Sequence, residues 1–237
     1  MKALILAAGF GSRLVPLTNE LPKALVPING KPIIFKQIEN LIKNNITDIT
    51  VVAGYKAEIL EKRIHESFPD INIINSVDYE TTNNMYSAYL ARNIFYNSAF
   101  LMMNADVFFD DTVIKSLLDS EHKNAIVTDI GSYSEESMKV IEKESKIVSI
   151  SKQISKNEAL GCSIDVYKFS ADAGIEFFDC CKDYIENKKI LNKWSEVALG
   201  DILNKVDFRA CSLVGNWYEI DTLEDLQNAE ILFANKE

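Results

Sequence analysis

The sequence predicts an α/β protein built on a mostly parallel mixed sheet with helices on both faces. Two observations carry this. Short apolar runs alternate with segments of helical period through the first half of the chain, and the glycine loop, Gly54-Tyr55 and Asp106 each follow such a run. Parallel strands need crossover connections, and helices supply them.

The elements follow in order. Ala3–Leu6 is a buried strand that breaks at Gly9-Phe10-Gly11. Within Pro32–Lys43, Ile34, Ile38, Leu41 and Ile42 recur at the spacing of an amphipathic helix. Ile49–Val52 is a strand closed by Ala53-Gly54-Tyr55, and Ala57–Phe68 a helix with Leu60, Ile64 and Phe68 on one face. Ile71–Ile74 is a strand, Met85–Phe95 a helix, and Phe100–Met103 a strand running into Asn104-Ala105-Asp106. Asp111–Leu118 opens with acidic and Thr residues, which suit exposed N–H groups at a helix start.

The second half changes character. Ala125–Thr128 reads as a strand, Lys139–Ile141 with Lys146–Lys152 as a small hairpin, and Ser163–Phe169 as a further strand. Ile175–Ile185 and Ser195–Asn204 read as helices; Ala210–Val214 and Trp217–Ile220 are short strands. Thr222 and Asp225 form a capping box for a last helix. With no repeat and no linker, the chain reads as one Rossmann-like domain, with a nucleotide-binding half at 1–122 and an acceptor-binding half at 123–237.

In a doubly wound sheet, ligands bind beyond the carboxyl ends of the strands. The glycine loop, Gly54-Tyr55 and Asp106 are all expected at that edge. Glycines let the backbone turn tightly and offer its N–H groups to an anion. Arg13 adds a fork of donors suited to phosphate oxygens and Lys23 a second cation. Together they read as a seat for a nucleoside triphosphate.

Bulk properties narrow the partners. A formal net charge of −10 argues against nucleic acid and anionic membrane surfaces. No apolar stretch is long enough to span a bilayer and no signal-peptide pattern opens the chain, so a cytoplasmic location is expected. Cys162, Cys180, Cys181 and Cys211 lack metal spacing and read as reduced thiols. With only His65 and His122 available, any metal site must use carboxylates, which favours Mg2+. Homo-oligomerisation is left open.

The run Leu6-Ala7-Ala8-Gly9-Phe10-Gly11-Ser12-Arg13-Leu14, followed by Pro22-Lys23, resembles the signature of the sugar-phosphate nucleotidylyltransferase superfamily, L-A-A-G-x-G-S/T-R-L with a later P-K. Gly54-Tyr55, Asn104-Ala105-Asp106 and Trp217-Tyr-Glu-Ile-Asp221 agree in order, so the resemblance covers nearly the whole chain. Within the superfamily the chain looks most like small cytidylyltransferases acting on phosphocholine or aminoethylphosphonate. Asn83-Asn84-Met-Tyr-Ser87 resembles their N-N-x-x-S helix start, Glu136-Ser-Met-Lys139 with Ile147–Lys152 their hairpin, and Lys193-Trp-Ser-Glu196 another shared helix start. One position departs: where relatives often read G-E-x-I-G, this chain has Gly161-Cys-Ser-Ile-Asp165.

The resemblance implies roles. Leu6, Ala7, Ala8, Gly9 and Phe10 would receive base and sugar with Gly54, Tyr55, Asn84, Ser87 and Ala105; Gly11, Ser12 and Arg13 would hold the triphosphate. Lys23 would neutralise the reacting phosphates, Asp106 and Asp221 would hold Mg2+, and Lys152 would meet the acceptor phosphate. Trp194, Glu196 and Trp217 would line the acceptor together with the departing Asp165. Apart from the resemblance, the acid at Asp165 or Glu196 could pair with a primary amine, and Asp165 could instead bind hydroxyls. Tyr86, Tyr133, Trp194 and Trp217 offer an aromatic cage for a quaternary ammonium, although core or rim packing is the plainer role for such residues.

The implied reaction joins CTP to a small phosphorylated or phosphonylated acceptor. Its obstacle is bringing two anions together, so positioning and charge neutralisation should dominate. A sugar-1-phosphate or inositol-phosphate transferase, and a catalytically silent nucleotide-binding protein, are the alternatives.

Overall fold

A computed structural model describes residues 1–234. Its centre is a nine-stranded mixed sheet. The parallel part is made by β1 (Lys2–Ala7), β4 (Asp48–Ala53), β5 (Asn72–Asn75) and β6 (Phe100–Asn104), with β1 between β4 and β6. Two short ribbons lie outside it: β2 (Pro27–Ile28) with β3 (Lys31–Pro32), and β7 (Val107–Phe109) with β13 (Trp217–Glu219). The second half extends the sheet through β11 (Gly161–Phe169), antiparallel to β6, to β8 (Ala125–Ile130) and to β9 (Lys139–Lys143). The hairpin of β9 with β10 (Lys146–Ser151) forms one edge, and β12 (Arg209–Ser212) pairs parallel with β8.

Alternation along β1 builds two cores. Ala3, Ile5 and Ala7 face one cluster, which holds apolar residues of α1 (Ile33–Lys43), α2 (Ala57–Ser67) and α5 (Asp111–Asp119). Leu4 and Leu6 face the other, with α3 (Asn84–Leu90), α6 (Ala171–Lys182) and α7 (Ser195–Ile202). Burial on both faces is what a parallel sheet between helices requires. A third cluster of Leu14, Val26, Ile28, Phe108 and Ile220 closes around Ala229 of α8 (Leu223–Phe233) and ties the glycine loop to the last helix.

Two expected helices differ in detail. The one predicted over Met85–Phe95 is divided at Ala91, where the backbone tightens to a three-residue hydrogen bond from Ala91 N–H to the Ala88 carbonyl, and α4 (Arg92–Phe95) follows. The one predicted over Ile175–Ile185 starts earlier, at Ala171, because the Ser170 hydroxyl accepts from Ala173 N–H, and it widens into a π turn at Asp183–Asn187. The short β2, β3 and β7 have too few residues to show a period and went unpredicted. Cys162, Cys181 and Cys211 are buried, and no cysteine among the described residues is in a disulfide. Among the described residues no helix is long and apolar enough to cross a membrane.

Candidate active site

The carboxyl ends of β1, β4 and β6 share one edge, and the glycine loop leaves β1 there. Gly11 has φ 70°, and a Cβ on it would meet the Lys23 side chain at 2.9 Å. Glycine thus serves both the left-handed turn and the close passage of Lys23. Gly54 is packed as tightly: a Cβ would lie 2.7 Å from the Ala8 carbonyl oxygen. Tyr55 N–H donates to that carbonyl at 3.1 Å, its hydroxyl donates to the Thr18 carbonyl, and its ring meets Phe10 edge-on at 4.4 Å. Thr18 is buried and donates to the Gly11 carbonyl. The loop is therefore buttressed from behind by Phe10, Tyr55 and Thr18.

The acids reach the same place from β6 and from the β7–β13 ribbon. Gln37 donates to the carbonyls of Asn104 and Val107, fixing the bend between β6 and β7. Ala105 N–H donates to the Leu6 carbonyl, and Ile220 N–H to the Asp106 carbonyl at 2.9 Å, which sets Asp221 beside Asp106. Carboxylate oxygens of Asp106, Glu219 and Asp221 all lie within 4.8 Å of one another. Lys23 Nζ stands between two of these acids, 2.9 Å from Asp106 Oδ2 and 2.7 Å from Asp221 Oδ1, and Arg13 Nη2 is 2.8 Å from Asp221 Oδ2.

The charges explain the protonation states. Burial acts to lower the pKa of Lys23, but Asp106 and Asp221 outweigh it and the net shift is upward. Burial likewise pushes Asp221 up, and Lys23, Arg13 and Lys152 bring it below its usual value. For Glu219 the nearby charge of Lys23 acts in the same direction but is outweighed. Removal from water, with the charges of Asp165, Asp106 and Asp221, pushes it up to about 9. Oδ1 of Asp106 is buried without a hydrogen-bond partner. An orphan carboxylate oxygen among three hard oxygen donors, with an ammonium standing between two of them, fits a divalent cation such as magnesium.

These residues border a cleft of about 260 Å³. Leu6, Ala8, Gly9, Arg13, Asn84, Ser87, Asp106, Lys152, Asp165, Trp194, Glu196 and Asp221 all line it. Ala7, Phe10, Gly11, Ser12, Lys23, Gly54, Tyr55 and Ala105 are not among the residues that line it. Trp217 does not line it: its Nε1 donates to Asp129 Oδ2, and it borders an adjoining cavity that shares Arg13, Glu136, Glu219 and Asp221 with the cleft. Asn84 faces the cleft but is heavily committed, accepting from Ser195 N–H at 2.7 Å and donating to Asn104 Oδ1 at 3.2 Å. Lys152 Nζ lies 5.1 Å over the Trp194 ring. Its backbone carbonyl is held by the buried Lys139, whose Nζ also takes the carbonyls of Ser134 and Glu135.

Sequence reasoning missed Glu219, although its signal was present: Glu219 and Asp221 are two apart, and a period of two puts them on one face of a strand. Asn104 and Lys139 stood in motifs that matched the family but were given no role, and nothing local marked Tyr167, because their partners are distant in sequence.

Comparison with known proteins gives this geometry a lineage. The nucleotidyl transferase family model matches residues 2–152. The chain belongs to the nucleotidyl transferase family. Choline-phosphate cytidylyltransferase of Streptococcus pneumoniae is 30% identical over the full length of both chains. CTP:phosphoglutamine cytidylyltransferase of Campylobacter jejuni is 28% identical over 96% of this chain and 98% of its own. A solved structure of the S. pneumoniae CTP:phosphocholine cytidylyltransferase superposes with a TM-score of 0.81 at 25% identity, covering 98% of both chains. This nucleotidyltransferase therefore has cytidylyltransferase relatives along its whole length, on the α/β fold expected from its sequence.

Proposed function

We propose that this nucleotidyltransferase is a magnesium-dependent cytidylyltransferase. It joins CTP to a small phosphorylated or phosphonylated acceptor of the phosphocholine or aminoethylphosphonate kind, releasing pyrophosphate and a CDP- or CMP-linked product for decoration of surface polysaccharide or lipid. The observation that carries the reading is the meeting of Arg13, Lys23, Asp106, Glu219 and Asp221 at the rim where the β1 glycine loop opens. Its kinship to full-length cytidylyltransferases supports the choice of CTP.

The acceptor oxygen forms a bond to the α-phosphorus while the bond from that phosphorus to the β-phosphate oxygen breaks. The nucleophile is already an anion, so no general base is required. The backbone of Ala8, Gly9 and Gly11 receives base, sugar and triphosphate, with Ser12 at the start of the following turn. Arg13 and Lys23 neutralise the triphosphate, and Lys152 neutralises the acceptor. Charge compensation of this kind, already in place before reaction, is where most of the acceleration arises. Asp106, Glu219 and Asp221 would hold the magnesium, which when bound supplies charge neutralisation at the phosphates.

The test is pyrophosphate release with magnesium and each of CTP, UTP, GTP and dTTP against phosphocholine, aminoethylphosphonate, inositol phosphate and hexose-1-phosphates. Turnover with CTP and the small acceptors is expected; turnover confined to UTP or dTTP with hexose-1-phosphates would overturn the reading. Asp106→Asn and Asp221→Asn should each lower kcat by roughly 10²–10³, the range for removal of one electrostatic stabiliser.

A further inference from the structure

The cleft that is to receive two anions is lined by six carboxyl groups: Asp106, Glu136, Asp165, Glu196, Glu219 and Asp221. Three of these are explained by a divalent cation, and Glu136 extends into solvent near Arg13. Asp165 and Glu196 are unexplained. Neither has a Lys or Arg ion-pair partner among the described residues, and each is costly to keep.

Asp165 bears two costs. It sits inside β11 with φ 58°, at the point where the β11–β8 register shifts between Ser163 and Tyr167. The left-handed region is strained for residues other than glycine, for Asp less than for most. Its carboxyl is also withdrawn from water, which with the nearby charges of Glu196 and Asp106 pushes it up to about 8. Glu196 is 2% exposed and burial shifts it upward too.

The two acids are joined by the fully buried Tyr167, whose hydroxyl lies 2.8 Å from Asp165 Oδ1 and 3.1 Å from Glu196 Oε1. A phenol has one proton and cannot donate to both acids. Asn104 Nδ2 reaches Asp165 Oδ2 at 3.0 Å, and Ser195 Oγ reaches Glu196 Oε1 at 3.2 Å. The group is thus oriented on all sides by neutral partners and short of positive charge. Each carboxylate oxygen of Asp165 retains a second lone pair for a further donor.

The cleft is lined by two aromatic side chains, Tyr79 and Trp194, and not by the four-membered cage that the sequence offered for a quaternary ammonium. Of Tyr86, Tyr133, Trp194 and Trp217, only Trp194 borders it, and Lys152 already lies over the Trp194 ring. Tyr133 has Lys139 and Lys156 against its face, and Tyr86 donates to Asp78.

We propose that Asp165 and Glu196 determine acceptor specificity, and that the acceptor carries an ammonium group with at least one N–H, a primary or secondary amine, which these carboxylates hold by charged hydrogen bonds. The proposal rests on the cytidylyltransferase reading and narrows its acceptor class.

The test is a series of acceptors with one phosphate and one two-carbon arm, ending in primary amine, methylamine, dimethylamine, trimethylammonium or hydroxyl, assayed with CTP and magnesium, with glucose 1-phosphate and inositol 1-phosphate alongside. In the wild type, kcat/KM should fall about 10–100-fold from the primary amine to the trimethylammonium and to the hydroxyl, as charged hydrogen bonds are lost. Asp165→Asn and the strain-free Asp165→Gly should bring the amine-to-hydroxyl ratio close to one, with CTP binding by calorimetry identifying folded protein. Equal use of trimethylammonium and primary amine, turnover confined to the two ring phosphates, or a ratio unchanged in both variants overturns the proposal while leaving nucleotidyl transfer intact. Absence of turnover with every acceptor overturns the parent reading and this one with it. Should neither variant fold, the wild-type series still decides.

Discussion

At the scale of single residues, Lys23 is the most consequential side chain. It is 12% exposed, against 27% for Asp106 and 20% for Asp221, so both ion pairs are largely screened from water. Removing one partner of a buried pair leaves an uncompensated charge, a loss of roughly 3–5 kcal/mol when burial is complete. Partial exposure here reduces that to about 2–3 kcal/mol. Lys23→Met should therefore lower the Tm of the metal-free protein, and magnesium should raise the Tm of the variant more than that of wild type, because a cation binding the folded state replaces the lost charge. Thermal unfolding with and without magnesium checks this; a variant as stable as wild type without metal would show that the pairs contribute nothing.

At the scale of elements, the start of α8 holds the site together. Thr222 and Asp225 form a reciprocal capping box, and Asp225 Oδ2 also accepts from Asp221 N–H at 3.1 Å. The cap therefore orients Asp221 as well as ending the helix. Asp225→Ala should cost about 1 kcal/mol of stability, the usual value of an N-cap. It should also weaken magnesium affinity measured by titration, whereas an exposed substitution farther along α8, such as Gln227→Ala, should do neither. That capping box was legible in the sequence because its residues are three apart. Asp165 was legible only as a departure from a family pattern; its positive φ, its tyrosine bridge and its lack of a cation are products of tertiary contact.

At the scale of the whole molecule, stability should fall as pH rises across the neutral range. Asp165 and Glu219 hold their protons in the folded state up to about 8 and about 9, both far above their ordinary values of 3.8 and 4.5. The folded protein therefore binds more protons than the unfolded chain between those limits, and raising pH favours unfolding there. The Tm of metal-free protein should decline from about pH 5 to about pH 9, with Glu219→Gln flattening part of the slope. Magnesium should flatten it too, since it favours ionised Glu219. A Tm that climbs over this window would contradict the protonation states described above. The alternation of strand and helix in the first half was plain from sequence because each element is long enough to show its own period. The three-residue β7 and β13 were harder to read, yet their pairing aligns Glu219 with Val107 and so sets Asp221 beside Asp106.

The ammonium of Lys23 between two carboxylates has one more consequence. The chain carries its own substitute cation, so the metal seat takes shape during folding and does not wait for an ion to draw the acids together. On the proposed reading, a divalent cation held by Asp106 and Asp221 would take over the charge that Lys23 now supplies. Lys23 would then be free beside the glycine loop to meet an incoming phosphate, so that binding the cation and delivering the lysine would be a single event.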